Sequence, residues 1–290
     1  DEVIAMSGGY LLANEAAPVG KEIATAWLQQ LRNITTGQEV VALAYGNPDV
    51  SLAKRLAPSE LRKYYAFGKS QLEAALGRPV RSEPNGGWST GTSGLNNTLR
   101  KAYSDNRKAL TKLSRVVTDP ELTMLRAQLA KLLSPKLNKD SREFYTYSAR
   151  SAVDAMVNKL RINSGRYQIT TSNVKLPVTV INEFDSDVTI DISMVPINSR
   201  VIVDSFKGVT IPAQSKLQLE MLVDVIAPGQ TSVLALITDS EGNEIVPEAT
   251  LTLNSTVIDS RVTWFTTGAA ILLLLAAVAQ SVRRVRKRAK

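Results

Sequence analysis

The residues whose types best suit catalysis or ligand binding lie in the segment VALAYGNPDV, residues 41–50. An apolar run ends there on a turn, and the carboxylate of Asp49 follows directly. In many α/β enzymes a strand that ends in this way presents functional groups at the edge of the sheet. The same position also suits a helix N-cap, because a carboxylate there accepts hydrogen bonds from free backbone N–H groups and contributes about 1 kcal/mol. The cap accounts for Asp49 completely and is the favoured interpretation.

Glycoside hydrolysis at Asp49 would require a second carboxylate about 5–9 Å away. Glu83 and Asp105 are candidates, and the sequence does not fix their distance from Asp49. The loop PNGGWSTGTSG, residues 84–94, adds Trp88, whose ring offers a stacking face for a sugar. The alternative is a surface turn in which this tryptophan packs against the fold. The predicted ligand-binding set is Tyr45, Asn47, Asp49 and Trp88.

The amino-acid composition removes several classes of catalysis, because the chain contains no histidine and no cysteine. Ser-His and Cys-His mechanisms are excluded, as are the usual zinc hydrolase sites, which depend on imidazole ligands. The glycine spacing of residues 84–94 matches neither a P-loop nor a dinucleotide-binding fingerprint. We therefore predict no catalytic residue, no metal and no cofactor, and an enzyme is the less favoured interpretation.

The net charge of +8 is a property of the C-terminal tail. Residues 283–290, RRVRKRAK, hold six basic residues, and no acid follows Arg261. Removing these seven from the total of 35 Lys and Arg leaves 28 bases against 27 acids in residues 1–260. A nearly neutral body argues against a general phosphate-binding surface, so we predict no nucleic-acid partner.

Residues 262–282 form a run of 21 residues without a charge. A helix of this length spans roughly 30 Å, the thickness of a bilayer core. Trp264 and Phe265 lie near one end, where aromatic rings favour the membrane interface, and the basic cluster follows the other end. We predict a single transmembrane helix at 262–282 and a cytoplasmic tail at 283–290. The bulk of the chain, residues 1 to about 258, is then extracytoplasmic.

The groups near Asp49 must be positioned by residues 1–118, which read as a partial α/β layer. Strands are predicted at residues 3–12, 39–45 and within 78–89, alternating with helices that begin near Pro18 and Pro58. The sequence begins at Asp1 with no signal peptide and no initiating methionine, and its first strand reads as one entered in the middle of a domain. We therefore expect that residues 1–118 are the C-terminal part of a larger domain.

Two further regions follow in the sequence. Residues 119–162 are predicted to be helical, with apolar stripes that read as core: Leu122, Leu125, Leu129, Leu132, Ala149, Val153, Met156 and Leu160. Residues 166–258 alternate apolar and polar side chains over several short runs separated by turn residues. This pattern predicts six to eight strands in an Ig-like β-sandwich, so the chain as a whole is α+β and multidomain.

The order of several segments resembles a family of actinobacterial exported proteins of uncharacterised function. The matching stretches are VALAYGNPDV, GGWSTGTSGLNNTL, LPVTVINEFDSDVTIDI, the apolar run and RRVRKR. The resemblance implies a C-terminal membrane anchor and a gene beside the lipid II flippase of peptidoglycan synthesis. Asn47 stands where the family has an acid, which weakens any acid–base role for this loop.

The favoured function is therefore a membrane-anchored, extracytoplasmic accessory or scaffold protein of cell-envelope biogenesis that carries out no catalysis. The expected partners are the lipid bilayer and the lipid II flippase or other envelope-synthesis proteins. The alternative is a glycan-binding or glycan-cleaving module that acts on cell-wall polysaccharide. The sequence also leaves open a third function, that of a simple structural stalk.

Overall fold

The computed structural model describes residues 18–83, 91–256, 268–278 and 280. It combines a helical head with a two-sheet β-structure, so the mixed helix-and-sheet class is confirmed. The helices of the head are α1 Pro18–Ile34, α2 Val50–Leu56, α3 Pro58–Leu76, α4 Asn97–Leu113, α5 Pro120–Gln128 and α6 Lys139–Asn158. A short 3-10 helix, Leu129–Leu133, continues α5.

Local sequence signals explain where these helices begin. Pro58 and Pro120 open α3 and α5, because a fixed φ and a missing N–H suit the first helical turn. Four helices have a side chain that caps a backbone N–H: Asp49, Asn96, Asp119 and Asn138. The predicted stripe of α5 and its 3-10 extension is core, since Leu122, Leu125, Leu129 and Leu132 are all buried.

The α/β layer contains two short strands in the described part of the chain, β1 Val41–Ala42 and β2 Arg81–Ser82. They pair in parallel, as the alternation of strands and helices predicts. The strand predicted at residues 3–12 lies outside the described residues. Ile23 and Trp27 of α1 are exposed, whereas Leu31 packs beside the buried Ala42.

Nine strands follow in residues 160–255: β3 Leu160–Ile162, β4 Gly165–Ile169, β5 Asn173–Asn182, β6 Val188–Pro196, β7 Val201–Val203, β8 Phe206–Ile211, β9 Ser215–Val225, β10 Gly229–Thr238 and β11 Ala249–Ser255. One sheet has the strand order β4-β11-β10-β6-β8 and the other β3-β5-β9-β7. Six to eight strands were predicted in residues 166–258, and eight strands, β4 to β11, occupy residues 165–255. The predicted helical region 119–162 extends too far at its C-terminal end. The last helix of the head, α6, ends at Asn158, because residues 160–162 pair with β5 as strand β3.

The alternating pattern places one face of each strand in the core. On β6, Val188, Ile190, Ile192 and Met194 are buried. The buried cluster of the two sheets is continuous with that of the head, which contributes residues such as Leu133 and Met156. Head and sandwich therefore share one hydrophobic core, and α6 leads into β3 with only Lys159 between them.

The strand directions give the sandwich two distinct ends. Loops 183–187, 212–214 and 239–248 lie at the end that adjoins the head, which we call the head end. Loops 170–172, 197–200 and 226–228 lie at the opposite end, together with Thr256 after β11, and we call it the exit end. β10 runs the whole way between them, and its ten residues span about 30 Å.

Residues 268–278 and 280 are helical and consist of small and apolar side chains except Gln280. No helix within the described ranges is long and apolar enough to cross a membrane. The predicted span at 262–282 includes residues outside these ranges, and the basic tail at 283–290 lies outside them entirely.

Candidate functional site

The turn after β1 brings Tyr45, Asn47 and Asp49 together. Gly46 and Asn47 both have positive φ, 77° and 44°, and the Asn47 amide donates to the carbonyl of Ala44 at 3.0 Å. Gly46 also lies against the 3-10 helix, where a Cβ would stand 2.7 Å from the backbone nitrogen of Lys131. Only glycine fits this combination of positive φ and close contact.

Helix α3 holds the other side of the turn. The Tyr45 amide donates to the carbonyl of Tyr64 at 2.9 Å. Gly68 permits this approach, because a Cβ there would overlap the carbonyl oxygen of Leu43 and lie 2.9 Å from the Tyr45 nitrogen. The turn is therefore clamped between α3 and the 3-10 helix.

Asp49 is buried, with 5% of its surface exposed, and each carboxylate oxygen accepts a backbone hydrogen bond. Oδ1 accepts from the Leu52 amide at 2.9 Å, which confirms the N-cap of α2. Oδ2 accepts from the Ser93 amide at 2.8 Å and so fixes the segment that follows residues 84–90. The Asp49 amide donates to Leu133 at 2.8 Å. Asp49 thus joins three segments of the head.

Tyr45 and Asn47 are both half-buried. The Tyr45 ring meets Phe67 edge to face, with 4.9 Å between ring centroids, and Lys131 Nζ lies 5.5 Å from the Tyr45 centroid. Burial raises the pKa of the Tyr45 phenol, so the group stays neutral at physiological pH. Trp88 lies outside the described residues. The assignment of these four residues to ligand binding stays a prediction.

The two proposed partner carboxylates differ in their surroundings. Glu83 is buried directly after β2, and its amide donates to the carbonyl of Ala42 at 3.2 Å. Asp105 is exposed on α4 and accepts from Lys101 at 2.7 Å, one turn earlier. Within the described residues, no group of three or more acids is placed to hold a metal ion.

A buried polar cluster in the head was missed by sequence reasoning. Glu60 of α3 is 1% exposed and pairs with Arg126 of α5, which also donates to Ser114 Oγ at 2.6 Å. Beside it, the hydroxyls of Tyr64 and Tyr103 lie 2.9 Å apart. Burial raises the pKa of both phenols, that of Tyr103 to about 12. These residues lie far apart in the chain, and no sequence pattern pairs them.

Replacing Asp49 by Ala is expected to lower the free energy of unfolding by about 2–3 kcal/mol, since it removes a cap and leaves the Ser93 amide without its acceptor. Urea unfolding of the protein, followed by circular dichroism, measures the loss. Asp105→Ala is the matched control, and its exposed pair with Lys101 predicts a change within about 0.5 kcal/mol. Equal stabilities of the two variants would contradict the structural role of Asp49.

The solved structures similar to this chain show low sequence identity and low TM-scores. WR4, an MSP family member of C. elegans, is 12% identical, with a TM-score of 0.26 over 34% of this chain and 98% of that one. PapD-like domain 7 of human CEP192 is 10% identical, with a TM-score of 0.27 over 35% and 87%. The secreted serine protease VesC of Vibrio cholerae is 13% identical, with a TM-score of 0.28 over 36% and 24%.

No curated protein sequence matches the chain. The bacterial group, the export and the flippase neighbourhood that the resemblance implies stay predictions. Residues 59–289, most of the chain, match a family described only as a family of unknown function, DUF6049, and the chain belongs to that family.

Proposed function

We propose that the protein is a membrane-anchored, extracytoplasmic scaffold of cell-envelope growth that carries out no catalysis. The observation that supports it best is the placement of head and chain exit at opposite ends of the sandwich. The described part of an apolar helical stretch starts at residue 268, twelve positions after Thr256. In this arrangement the sandwich is a spacer, and the helical head lies about 30 Å farther from the membrane than the exit end of the sandwich.

A scaffold of this kind needs a stiff junction between the head and the spacer. Besides the shared core, two ion pairs cross the junction from the end of α4 to the β10–β11 loop. Arg115 Nη1 lies 3.0 Å from Asp239 Oδ2, and Lys112 Nζ lies 3.1 Å from Glu244 Oε2. These contacts favour a head that keeps one orientation on the sandwich.

The junction is expected to weaken in acid. Burial tends to raise the pKa of Asp239, but hydrogen bonds from Asn243, Arg115 and the Glu241 amide prevail and lower it to about 2 from an ordinary value of 3.8. The charged form therefore stabilises the fold above about pH 4, and this contribution is lost as the pH falls from about 4 to about 2. Urea midpoints measured between pH 5 and pH 2 test this.

Asp239→Asn is the variant that isolates this carboxylate, and Asp105→Asn on the exposed face of α4 is its control. We expect the urea midpoints of wild type and Asp105→Asn to fall in parallel below pH 4. The midpoint of Asp239→Asn should be lower than that of wild type at pH 5 and should fall less as the pH is lowered. A pH profile of Asp239→Asn that runs parallel to the wild type would contradict the role of Asp239.

The envelope-growth part of the proposal rests on the resemblance to exported proteins encoded beside the lipid II flippase. Co-purification of the full chain from native membranes under mild detergent tests it. We expect an envelope-synthesis protein, with the flippase as first candidate, to be recovered. Recovery of no such protein from membranes in which the flippase is abundant would contradict the proposal.

A glycan-binding module is the second candidate, favoured by the half-buried aromatic pair of Tyr45 and Phe67. Lys131 already occupies the surroundings of the Tyr45 ring, which leaves Trp88 as the main stacking candidate. A pull-down on cell-wall glycan should compare wild type with Asp49→Asn and Trp88→Ala. Equal binding by all three, or binding by none, would exclude this candidate.

A further inference from the structure

The exposed apolar side chains of the sandwich are concentrated at one end. Among the described residues from 160 to 256, four large hydrophobic side chains are strongly exposed: Val195 (44%), Ile197 (59%), Ile202 (57%) and Ile226 (62%). Ile197 and Ile226 lie in the exit-end loops 197–200 and 226–228, and the other two lie within three residues of a loop at the same end. The large apolar side chains of the head-end loops, Phe184, Ile245 and Val246, are buried in the core shared with the head.

The two loops that carry Ile197 and Ile226 are fastened to each other. The carbonyl of Arg200 accepts hydrogen bonds from the amides of Ile226 at 2.8 Å and Ala227 at 3.2 Å. The Arg200 guanidinium donates to the carbonyl of Pro228 across the same gap. Asn198 adds a further bond, accepting from the Thr231 hydroxyl at 2.9 Å. The two isoleucines are therefore presented on a fixed frame.

Charge divides the sandwich in the same way. The exit-end loops 170–172, 197–200 and 226–228 contain no acid and one base, Arg200. The head-end loops contain seven acids and no base: Glu183, Asp185, Asp187, Asp239, Glu241, Glu244 and Glu248. An apolar tip with one cation and no acid suits the boundary of an anionic bilayer.

The path of the chain identifies the occupant of this surface. β11 ends at Ser255 on the exit end, and eleven residues, 257–267, connect Thr256 to the apolar helical stretch at 268. Eleven residues reach at most about 40 Å even when fully extended, so an anchored chain holds the exit end within that distance of the bilayer. A docking site for a protein partner or a second copy would have no reason to coincide with the point where the chain leaves the sandwich.

We propose that the exit end is a membrane-contact surface, with Ile197 and Ile226 entering the boundary between headgroups and acyl chains and Arg200 lying at the level of the lipid phosphates. This inference rests on the proposed membrane anchoring and adds a second, peripheral contact to it. The contact sets the direction in which the sandwich and its head stand on the membrane. An anchor alone would leave the sandwich free to tilt on its connecting segment.

Single-cysteine labelling tests the contact in the full chain, because the protein has no native cysteine. Bimane is attached at Ile226→Cys or Ile197→Cys, with Ser240→Cys at the head end as matched control and Ala276→Cys as the reference for anchoring. Each variant is reconstituted in vesicles of phosphatidylcholine and phosphatidylglycerol, with and without lipids brominated near the headgroup. Quenching by the bromine atoms reports contact with lipid.

We expect the labels at 226 and 197 to lose most of their fluorescence in brominated vesicles, and the label at 240 to lose none. Quenching at 276 with none at 226 and 197 would overturn the contact while leaving anchoring intact. No quenching at 276 and no flotation of the protein with the vesicles would overturn anchoring itself. Self-quenching of the 226 label that rises with protein density, with no effect of bromine, would assign the surface to a second copy.

Discussion

Replacing Arg126 by Met is expected to lower the free energy of unfolding by about 3–5 kcal/mol, because it leaves the carboxylate of Glu60 without its partner inside the head. Glu60 is 1% exposed, and Arg126 is the cation that contacts it from within the core, linking α3 to α5. Removing one member of a buried pair costs far more than removing both. Urea unfolding followed by circular dichroism measures the change.

Lys63→Met is the matched control, since the Lys63 ammonium lies 3.9 Å from the same carboxylate but is largely exposed. Its loss should change stability by less than about 1 kcal/mol. The double variant Glu60→Met and Arg126→Met should recover most of the stability that Arg126→Met alone loses. A double variant less stable than Arg126→Met would contradict this account of the pair.

The second large effect is expected at Asn182, a fully buried residue at the end of β5. Its amide nitrogen lies within 2.9–3.1 Å of three carbonyl oxygens, those of Ser186, Ile211 and Pro212, and its oxygen accepts from the Phe184 amide at 3.0 Å. Asn182→Ala leaves these backbone groups without partners, which should cost about 3 kcal/mol.

Asn182→Asp is the more informative variant, because it keeps the shape and replaces the donor by an oxygen that faces three carbonyls. We expect it to be at least as destabilising as Asn182→Ala in the same urea measurement. Asn173→Ala, at the exposed end of the same strand, is the control and should change stability by no more than about 0.5 kcal/mol. A tolerant Asn182→Asp would contradict the assigned orientation of the amide.

Asn182 also gives a physical reason for one stretch of the family resemblance, INEFDSD. The Asn182 side chain closes the turn after β5. Gln214, in the neighbouring loop 212–214, contacts the same turn, since its Nε2 donates to the Glu183 carbonyl at 2.9 Å. Gln214 adopts a positive φ of 50° to do so. Several residues of the stretch therefore build the head end of the sandwich.

The sequence predicted those features that depend on local patterns. Period-2 alternation predicted the strands of residues 166–258, among them β5, β6, β9 and β11. Capping residues and prolines mark the starts of α2, α3 and α5. Asp49 was interpreted correctly for the same reason, since an N-cap is defined by the three residues that follow it.

Features that depend on distant partners could not be predicted. β3 and β7 have only three residues each, too few for a period to appear, and they are strands because β5 and β9 offer them an edge. The pairing of Arg126 with Glu60 joins positions 66 residues apart. Asp49 also accepts a hydrogen bond from the Ser93 amide, 44 residues away in the chain. Packing creates this contact, and the residues around Asp49 in the sequence do not indicate it.

The central claim is that the sandwich stands upright on the membrane with its head on the far side. Energy transfer from a donor at Ser240→Cys or Ile226→Cys to acceptor-labelled lipid, in vesicles carrying the full chain, tests it most directly. The donor at 226 should transfer strongly, and the donor at 240 should report a position about 30 Å farther from the bilayer, the length of β10. Equal transfer from the two sites, or stronger transfer from 240, would contradict the claim.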